Sequence, residues 1–518
     1  MRKCVLLLYL VVLLAACNDK NTLDALGNIN RRGQELLSTY VSEFNMADEE
    51  IYVQKISNEK ALNFLAENVP LFECPDKELE KTYYFRWWTY RKHLKETPDG
   101  YVVTEFLPEV RWAGKYNAIN CAVTHQFREG RWLRDSRYLK DYASFWCREK
   151  KEASKYSCPL AYSFLEYYKV TRDKSFLEKC YDDLKEVHQI WYGKRWDEEA
   201  GMFWQRDGYD GMEVSISGSL SHDYTGYRAT INSYMCADAQ ALATIAEILG
   251  IQEDAEAYRA EADRLKDVVN TKLWDEDARF YKVIPRHGDM SFSPARELHG
   301  YIPWIFDIPG KDRSDMWTHL TDTLGFKAPF GPTTAEQRAD GFQVAYTGHD
   351  CQWNGPSWPF ATSQTLTALA QALHRFGENE YLTKETYLST LQTYSNSHRR
   401  VNGDDRKICW IDENLDPYTG EWLSRHLLLK RDNVYYERGK DYNHSTFCDL
   451  VITGLVGLQP QLDGSIIVEP LVPEGMWDYF FLTGVHYAGK EISVIYDKSG
   501  ERYGLGKGLS VYVDGRKL

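Results

Sequence analysis

Between Asp135 and Gly457 apolar residues return at helical spacing in ten successive segments, near 136–148, 158–170, 174–192, 230–249, 253–273, 294–306, 312–323, 357–376, 380–397 and 444–457. Each such helix has an apolar face to bury, and antiparallel pairing with its neighbours is how a bundle buries it. The loops at alternate joints are long and rich in Trp, Gly, Asp and Arg. The spacing gives a mostly α chain of antiparallel helix pairs, and the functional loops gathered at one end suggest an α/α toroid, over 76–457 an (α/α)6 toroid if six such pairs close the ring. Upstream, Leu36, Leu37, Tyr40, Val41 and Phe44 continue the helical spacing, Pro70 interrupts it, and Pro75-Asp76 with Glu78 and Glu80 opens a helix reaching about His93. Tyr101 to Glu129 has no helical period and reads as loops and short strands at one end of the barrel. From 458 to 518, short alternating runs separated by Asp-Gly, Pro-Glu-Gly and Lys-Ser-Gly turns predict a small antiparallel β module.

The N-terminus carries an address. Arg2 and Lys3 precede an apolar run from Val5 to Ala16, too short to span a bilayer and of the secretory-signal pattern. Leu14-Ala15-Ala16-Cys17 resembles a bacterial lipobox, which implies cleavage before Cys17 and lipidation of that residue. Residues 1–17 are then a signal peptide, and 18–75 a polar tether followed by N-terminal helices. The expected location is the periplasm, outer membrane or cell surface, with the membrane as a partner through the lipid. A formal net charge of −14 argues against nucleic acid, whose binding is built on clustered Lys and Arg. No cofactor is expected, and no metal, because the 13 His show no HxH or HExxH spacing. The chain reads as a monomer.

Chemistry concentrates in two acidic loops. Gln205 to Asp238 places Asp207, Asp210 and Glu213 in a Gly- and Ser-rich loop that runs into a long helix, and Trp410 to Trp422 (WIDENLDPYTGEW) lies about two hundred residues downstream. Glycoside hydrolysis needs one carboxylic acid to protonate the leaving oxygen and a second carboxylate to activate water or attack the anomeric carbon. Two acidic loops facing one pocket can supply both. The 16 Trp and 36 Tyr provide flat apolar faces of the kind that stack on sugar rings.

Five segments in order resemble the α/α-barrel inverting glycosidases of glycoside hydrolase family 63 and the related trehalases, as a mannosylglycerate hydrolase-like domain. They are Trp132-Leu133-Arg134-Asp135-Ser136, Gly211-Met212-Glu213-Val214-Ser215, Arg296-Glu297-Leu298 with Gly300-Tyr301 and Pro303-Trp304, Trp353-Asn354-Gly355-Pro356-Ser357-Trp358, and Glu413-Asn414-Leu415-Asp416-Pro417 with Thr419-Gly420. The pattern also resembles the β-L-arabinofuranosidase group of family 142, in a bacterial lipoprotein branch.

The resemblance implies Glu213 as general acid and Glu413 as general base, with Asp210 replacing Glu213 if the loop is shifted by three residues. It implies sugar binding by Trp132, Arg134 and Asp135 and stacking by Trp353 and Trp358; Arg86 and Trp88 on the early helix have a similar claim, and His444 reads either as a pocket residue or as a helix start with Ser445 as cap. Glu213 stands where the family shows Asp, and Leu415 where it shows an aromatic; both bear on which sugar is bound. The expected function is inverting exo-hydrolysis of an oligosaccharide, with a β-L-arabinofuranoside as the alternative to an α-glucoside or α-mannoside. Two other readings stand beside it: a catalytically idle carbohydrate-binding lipoprotein, and a lyase using Tyr442 and His444.

Overall fold

In a computed structural model of the protein the described residues are 2–345, 349–401, 403, 405–431 and 436–518, with side chains from residue 21 onward. Cys17 therefore lies outside the described side chains, and so does the expectation placed on it. The helices divide into two kinds. Ala229–Leu249 buries 16 of its 21 residues, whereas its partner Gln252–Lys272 buries only five of 21, a single stripe of Ala255, Ala262, Leu265, Val268 and Val269. A helix buried all round is an inner one and a striped helix an outer one. Leu160–Thr171 against Lys174–Arg195, and Pro359–Phe376 against Lys384–Ser397, repeat the contrast. Small residues in Ala229–Leu249 (Ala237, Ala239, Ala241, Ala243, Ala246) let inner helices approach closely. The result is the expected helical toroid.

Sequence signals set the helix ends. Asp76, Asp173 and Thr383 cap their helices by accepting from the amides of Leu79, Phe176 and Thr386, and Gly250 ends its helix in the left-handed conformation. Three expected helices take tighter or looser forms. Leu298–Phe306 and Lys311–Trp317 are 3-10 turns, the former with Pro303 inside it, and Leu450–Leu455 is a π-helical turn. The aperiodic stretch after Tyr101 does contain the strand Gly100–Val103, but also a helix, Val123–Gly130, too short for its period to stand out.

The C-terminal module is a five-stranded antiparallel sheet in the order Leu71–Glu73, Tyr479–Tyr487, Lys490–Asp497, Gly508–Val513, Arg516–Lys517. Its edge strand comes from the N-terminal region, with Phe72 paired to Leu482. Glu73 is fully buried there and takes Arg32, Arg502 and the Tyr503 hydroxyl as partners, so three distant segments share one carboxylate. A separate four-stranded sheet runs through Trp196–Asp197, Met202–Arg206, Thr225–Tyr227 and Ile284–Pro285. This small sheet holds the base of the first acidic loop.

Candidate active site

The first acidic loop folds around its own carboxylates. Asp207 accepts the Gly208 amide at 2.7 Å through its side chain, and its carbonyl takes the amides of Asp210 and Met212 at 3.0 and 2.9 Å. A side chain at Gly218 would collide with the Asp207 carboxylate, so the loop closes only with glycine there. Asp210 turns inward as well: its carboxylate meets Arg228 at 2.7 Å and accepts the Thr230 hydroxyl, all three buried. With Asp207 and Asp210 fixed behind it, and Met212 and Ser215 buried on either side, Glu213 projects into a cavity. The next residue, Val214, sits at φ 59°, a conformation a β-branched side chain adopts only under strain. Strain of this kind collects where a loop must aim a functional group.

The second acidic loop is tied to the Trp353–Trp358 segment. Leu415 and Ser357 exchange backbone hydrogen bonds of 2.9 Å each way, which joins two of the motifs read from the sequence. Asp412 accepts the Glu413 amide at 2.8 Å, and burial pushes Asp412 up to about 7. Asp416 accepts the amides of Tyr418 and Thr419, a turn-forming role. Gly439 packs so close to the second loop that a methyl group there would collide with the Asp412 carboxylate and press on Glu413. Glu413 emerges into the same cavity as Glu213 and forms a two-oxygen ion pair with Arg438, Nε at 2.5 Å and Nη2 at 3.0 Å. Arg438 also pairs with Asp350, and the Cys351 thiol lies 3.5 Å from the Glu413 carboxylate.

The cavity is about 350 Å³, the size of a small-ligand site. Its walls are largely aromatic, with Phe106, Trp112, Tyr156, Trp353, Trp358, Phe360 and Tyr442. Trp353 and Trp358 stack on one another at 4.5 Å and 14°. His444 lies with its ring 3.7 Å from Tyr442, and burial holds its imidazole well below the usual histidine range.

A third carboxyl, Glu105, completes the floor. One of its oxygens accepts the Tyr442 hydroxyl; the other is buried with no protein partner. Burial, opposed by that hydroxyl and reinforced by the charge of Glu413, pushes Glu105 up to about 8. Glu213 reaches about 8 as well, through burial first and then the charges of Asp207, Glu413 and Glu105. Its residue surface is only partly covered, yet the carboxyl group lies deep among other atoms; the depth of the group governs its charging. The cavity thus holds two carboxyls that keep their protons near neutrality beside one that sits in an ion pair with a guanidinium.

The family described as the Mannosylglycerate hydrolase MGH1-like glycoside hydrolase domain matches residues 115–445, more than half of the chain and the span that carries Glu213 and Glu413. The chain belongs to this glycoside hydrolase family. A solved structure named "Sialidase" is 39% identical, with a TM-score of 0.85, over 93% of this chain and 43% of its own. The chain therefore spans less than half the length of that protein. The GH78 family rhamnosidase of a Bacillus species is 14% identical (TM-score 0.56; 83% of this chain, 40% of that one), and an uncharacterized conserved protein from Thermus thermophilus is 12% identical (TM-score 0.54; 72% and 99%). At those identities the likeness is of fold.

Of the residues singled out from the sequence, the glycoside hydrolase cavity gathers Glu213, Glu413, Trp353, Trp358 and His444. It does not gather the others. Asp210 is held by Arg228 and Thr230, and Trp88 packs on Phe44 and Phe85 with its indole donating to Asn45. Arg86 is buried between Tyr394, His398 and the Ser445 carbonyl, and Trp132 donates to Asp449. Arg134 reaches toward Glu491 of the C-terminal module and Asp135 caps Arg137, both on the surface. These groups were expected at the pocket because charged and aromatic residues near a motif look alike in sequence whichever way they face. Glu105, Arg438 and Asp350 were missed; the one signal for Glu105 was its place in the aperiodic stretch assigned to one end of the barrel.

Asp210 and Arg228 make a strong prediction about stability. Replacing Asp210 by Ala leaves a buried guanidinium short of a partner, and the expected loss is about 3–5 kcal/mol in urea unfolding. An Asp210→Ala protein as stable as the parent but inactive would move Asp210 from the scaffold into the chemistry.

Proposed function

We propose that the protein is an inverting exo-glycosidase acting on the non-reducing end of an oligosaccharide. The observation that carries the reading is the opposed state of two carboxyls in one small cavity: Glu213 pushed up to about 8 and Glu413 paired with Arg438. Glu213 gives its proton to the departing glycosidic oxygen as the bond breaks. Glu413 takes a proton from a water that attacks the anomeric carbon from the opposite face, and the anomer inverts. Glu105 lines the same cavity with one buried oxygen that no protein group meets, and it is the carboxyl placed to meet a ring hydroxyl. A cavity of about 350 Å³ with aromatic walls favours a single terminal sugar over a long glycan.

The charge of the cavity favours a neutral sugar. Among the described residues lining it, the only Lys or Arg is Arg438, and it is already shared by Glu413 and Asp350. A sugar carboxylate would meet Glu105, Glu213 and Glu413 without a spare cation. This separates the protein from what the name of its sialidase-named relative says of that relative, and leaves β-L-arabinofuranosides and neutral hexosides. The Tyr442 hydroxyl is engaged by Glu105 and burial holds its proton well above the usual range, which disfavours Tyr442 as the base of a lyase. Cleaved and lipidated at Cys17, the enzyme would work from a membrane face on glycans outside the cytoplasm.

The test is hydrolysis of β-L-arabinofuranosides, α-glucosides, α-mannosides and sialosides, with the product anomer read by NMR at early times. The expected result is cleavage of one neutral class with inversion. Retention, or cleavage of sialosides alone, would overturn the reading, and sugar binding without cleavage would leave an idle binding protein in its place.

A further inference from the structure

We propose a second site, for a divalent d-block cation such as Zn²⁺, formed by His222, Asp223 and His287 where the acid-bearing loop meets the small four-stranded sheet. One ligand atom from each residue lies within 4.8 Å of the other two. The two imidazole rings are 4.8 Å apart, and His287 Nε2 is 3.2 Å from Asp223 Oδ2. Two imidazoles and one carboxylate are the donor set of three-ligand zinc sites, in which the fourth position is left to water.

The site is built rather than incidental. Asp223 Oδ1 accepts from the Ser221 hydroxyl at 2.8 Å and from the amide and hydroxyl of Thr225 at 3.2 and 2.6 Å. Those three donors fix the carboxylate and turn Oδ2 toward the imidazoles, the kind of outer support that metal-binding carboxylates have. His287 is set by strand register: Gly226 pairs with Pro285, Tyr227 with Ile284, and the Arg286 amide donates to the Thr225 carbonyl at 3.1 Å. Arg206, at the start of the same loop, spends its Nε on the Asp223 carbonyl rather than the carboxylate. The sequence hides the site because 64 residues separate Asp223 from His287, so no short ligand motif exists.

The cation ties the strand at 284–285 to the loop that aims Glu213. The Tyr224 carbonyl, next to the site, accepts the Asp207 amide at 3.0 Å, and Asp207 is the residue around which that loop closes. The site therefore supports the loop's position and is separate from bond cleavage.

The experiment uses the full chain, stripped with EDTA and dialysed against ZnCl₂ at pH 7.5, where imidazoles are free to bind. Metal content is read by elemental analysis and stability by thermal unfolding. The expected result is about one zinc per chain and a Tm higher by about 3 °C at a hundredfold excess over Kd. In His222→Ala and His287→Ala the affinity falls by about tenfold or more. The double variant His222→Ala/His287→Ala keeps the parent's metal-free Tm, because both rings are exposed. Zinc retained in full by the double variant, or no zinc held by the parent, overturns the proposal.

Discussion

Replacing Glu413 by Gln lowers kcat by about 10²–10⁴-fold, the range removed when a positioned general base is lost. Gln keeps the size of the side chain and still accepts from Arg438, so the cavity keeps its shape and its sugar. The change should therefore appear in kcat with KM nearly unchanged. Arg438 retains Asp350 as an anion, which limits the cost in stability. Two controls separate chemistry from charge balance. Asp350→Asn removes the other anion of Arg438 without touching the base, and its expected effect on kcat is below about tenfold because it acts only through the guanidinium. Cys351→Ser removes the thiol 3.5 Å from Glu413 and leaves turnover nearly intact. A Glu413→Gln enzyme with full activity on a neutral glycoside would remove Glu413 from the mechanism.

The parts of this architecture that could be read in the sequence are those set by local rules. Helix positions followed from apolar spacing, and the start of one of them from Pro75-Asp76 with Glu78 and Glu80. Glu213 and Glu413 stood out through the family resemblance of their loops, and the Ser357–Leu415 pairing joins the Glu413 loop to the Trp353–Trp358 segment. What local rules do not give is which way a side chain faces. Arg86 and Trp88 lie two apart on one helix and both are buried, yet neither reaches the cavity, because their partners come from Tyr394, Ser445 and Asn45, far along the chain. Glu105 and Arg438 become cavity residues only through contacts across more than three hundred positions and twenty-five positions, to Tyr442 and Glu413. Leu71–Glu73 similarly enters the C-terminal sheet across four hundred residues, beyond the reach of any period or turn signal.

Replacing Glu213 by Gln removes the alkaline limb of the pH profile together with most of the rate. In the parent enzyme the acid must hold its proton and the base must be charged, so kcat/KM has an acid limb set by the base, and above about pH 8 it falls tenfold per pH unit, following the raised value of Glu213. Burial sets most of that rise, and the charges of Asp207, Glu413 and Glu105 add to it. The sign for the neighbours follows: Glu105→Gln takes away a charge that disfavours ionisation of Glu213, so the limb moves to lower pH while the chemistry continues. Glu213→Gln differs in kind. With a sugar alcohol as leaving group kcat drops by about 10²–10⁴-fold, because the departing oxygen leaves without a proton. With a highly activated aryl glycoside the leaving group needs no proton, and the loss shrinks to within about tenfold of the parent. Glu413→Gln shows no such recovery, since the water still lacks its base whatever departs. That contrast between the two variants, measured on one pair of substrates, assigns acid and base without reference to any other protein. Equal losses on both substrates for Glu213→Gln would give the proton donation to another group, and Glu105, the second carboxyl in the cavity raised to about 8, would be the residue to replace next.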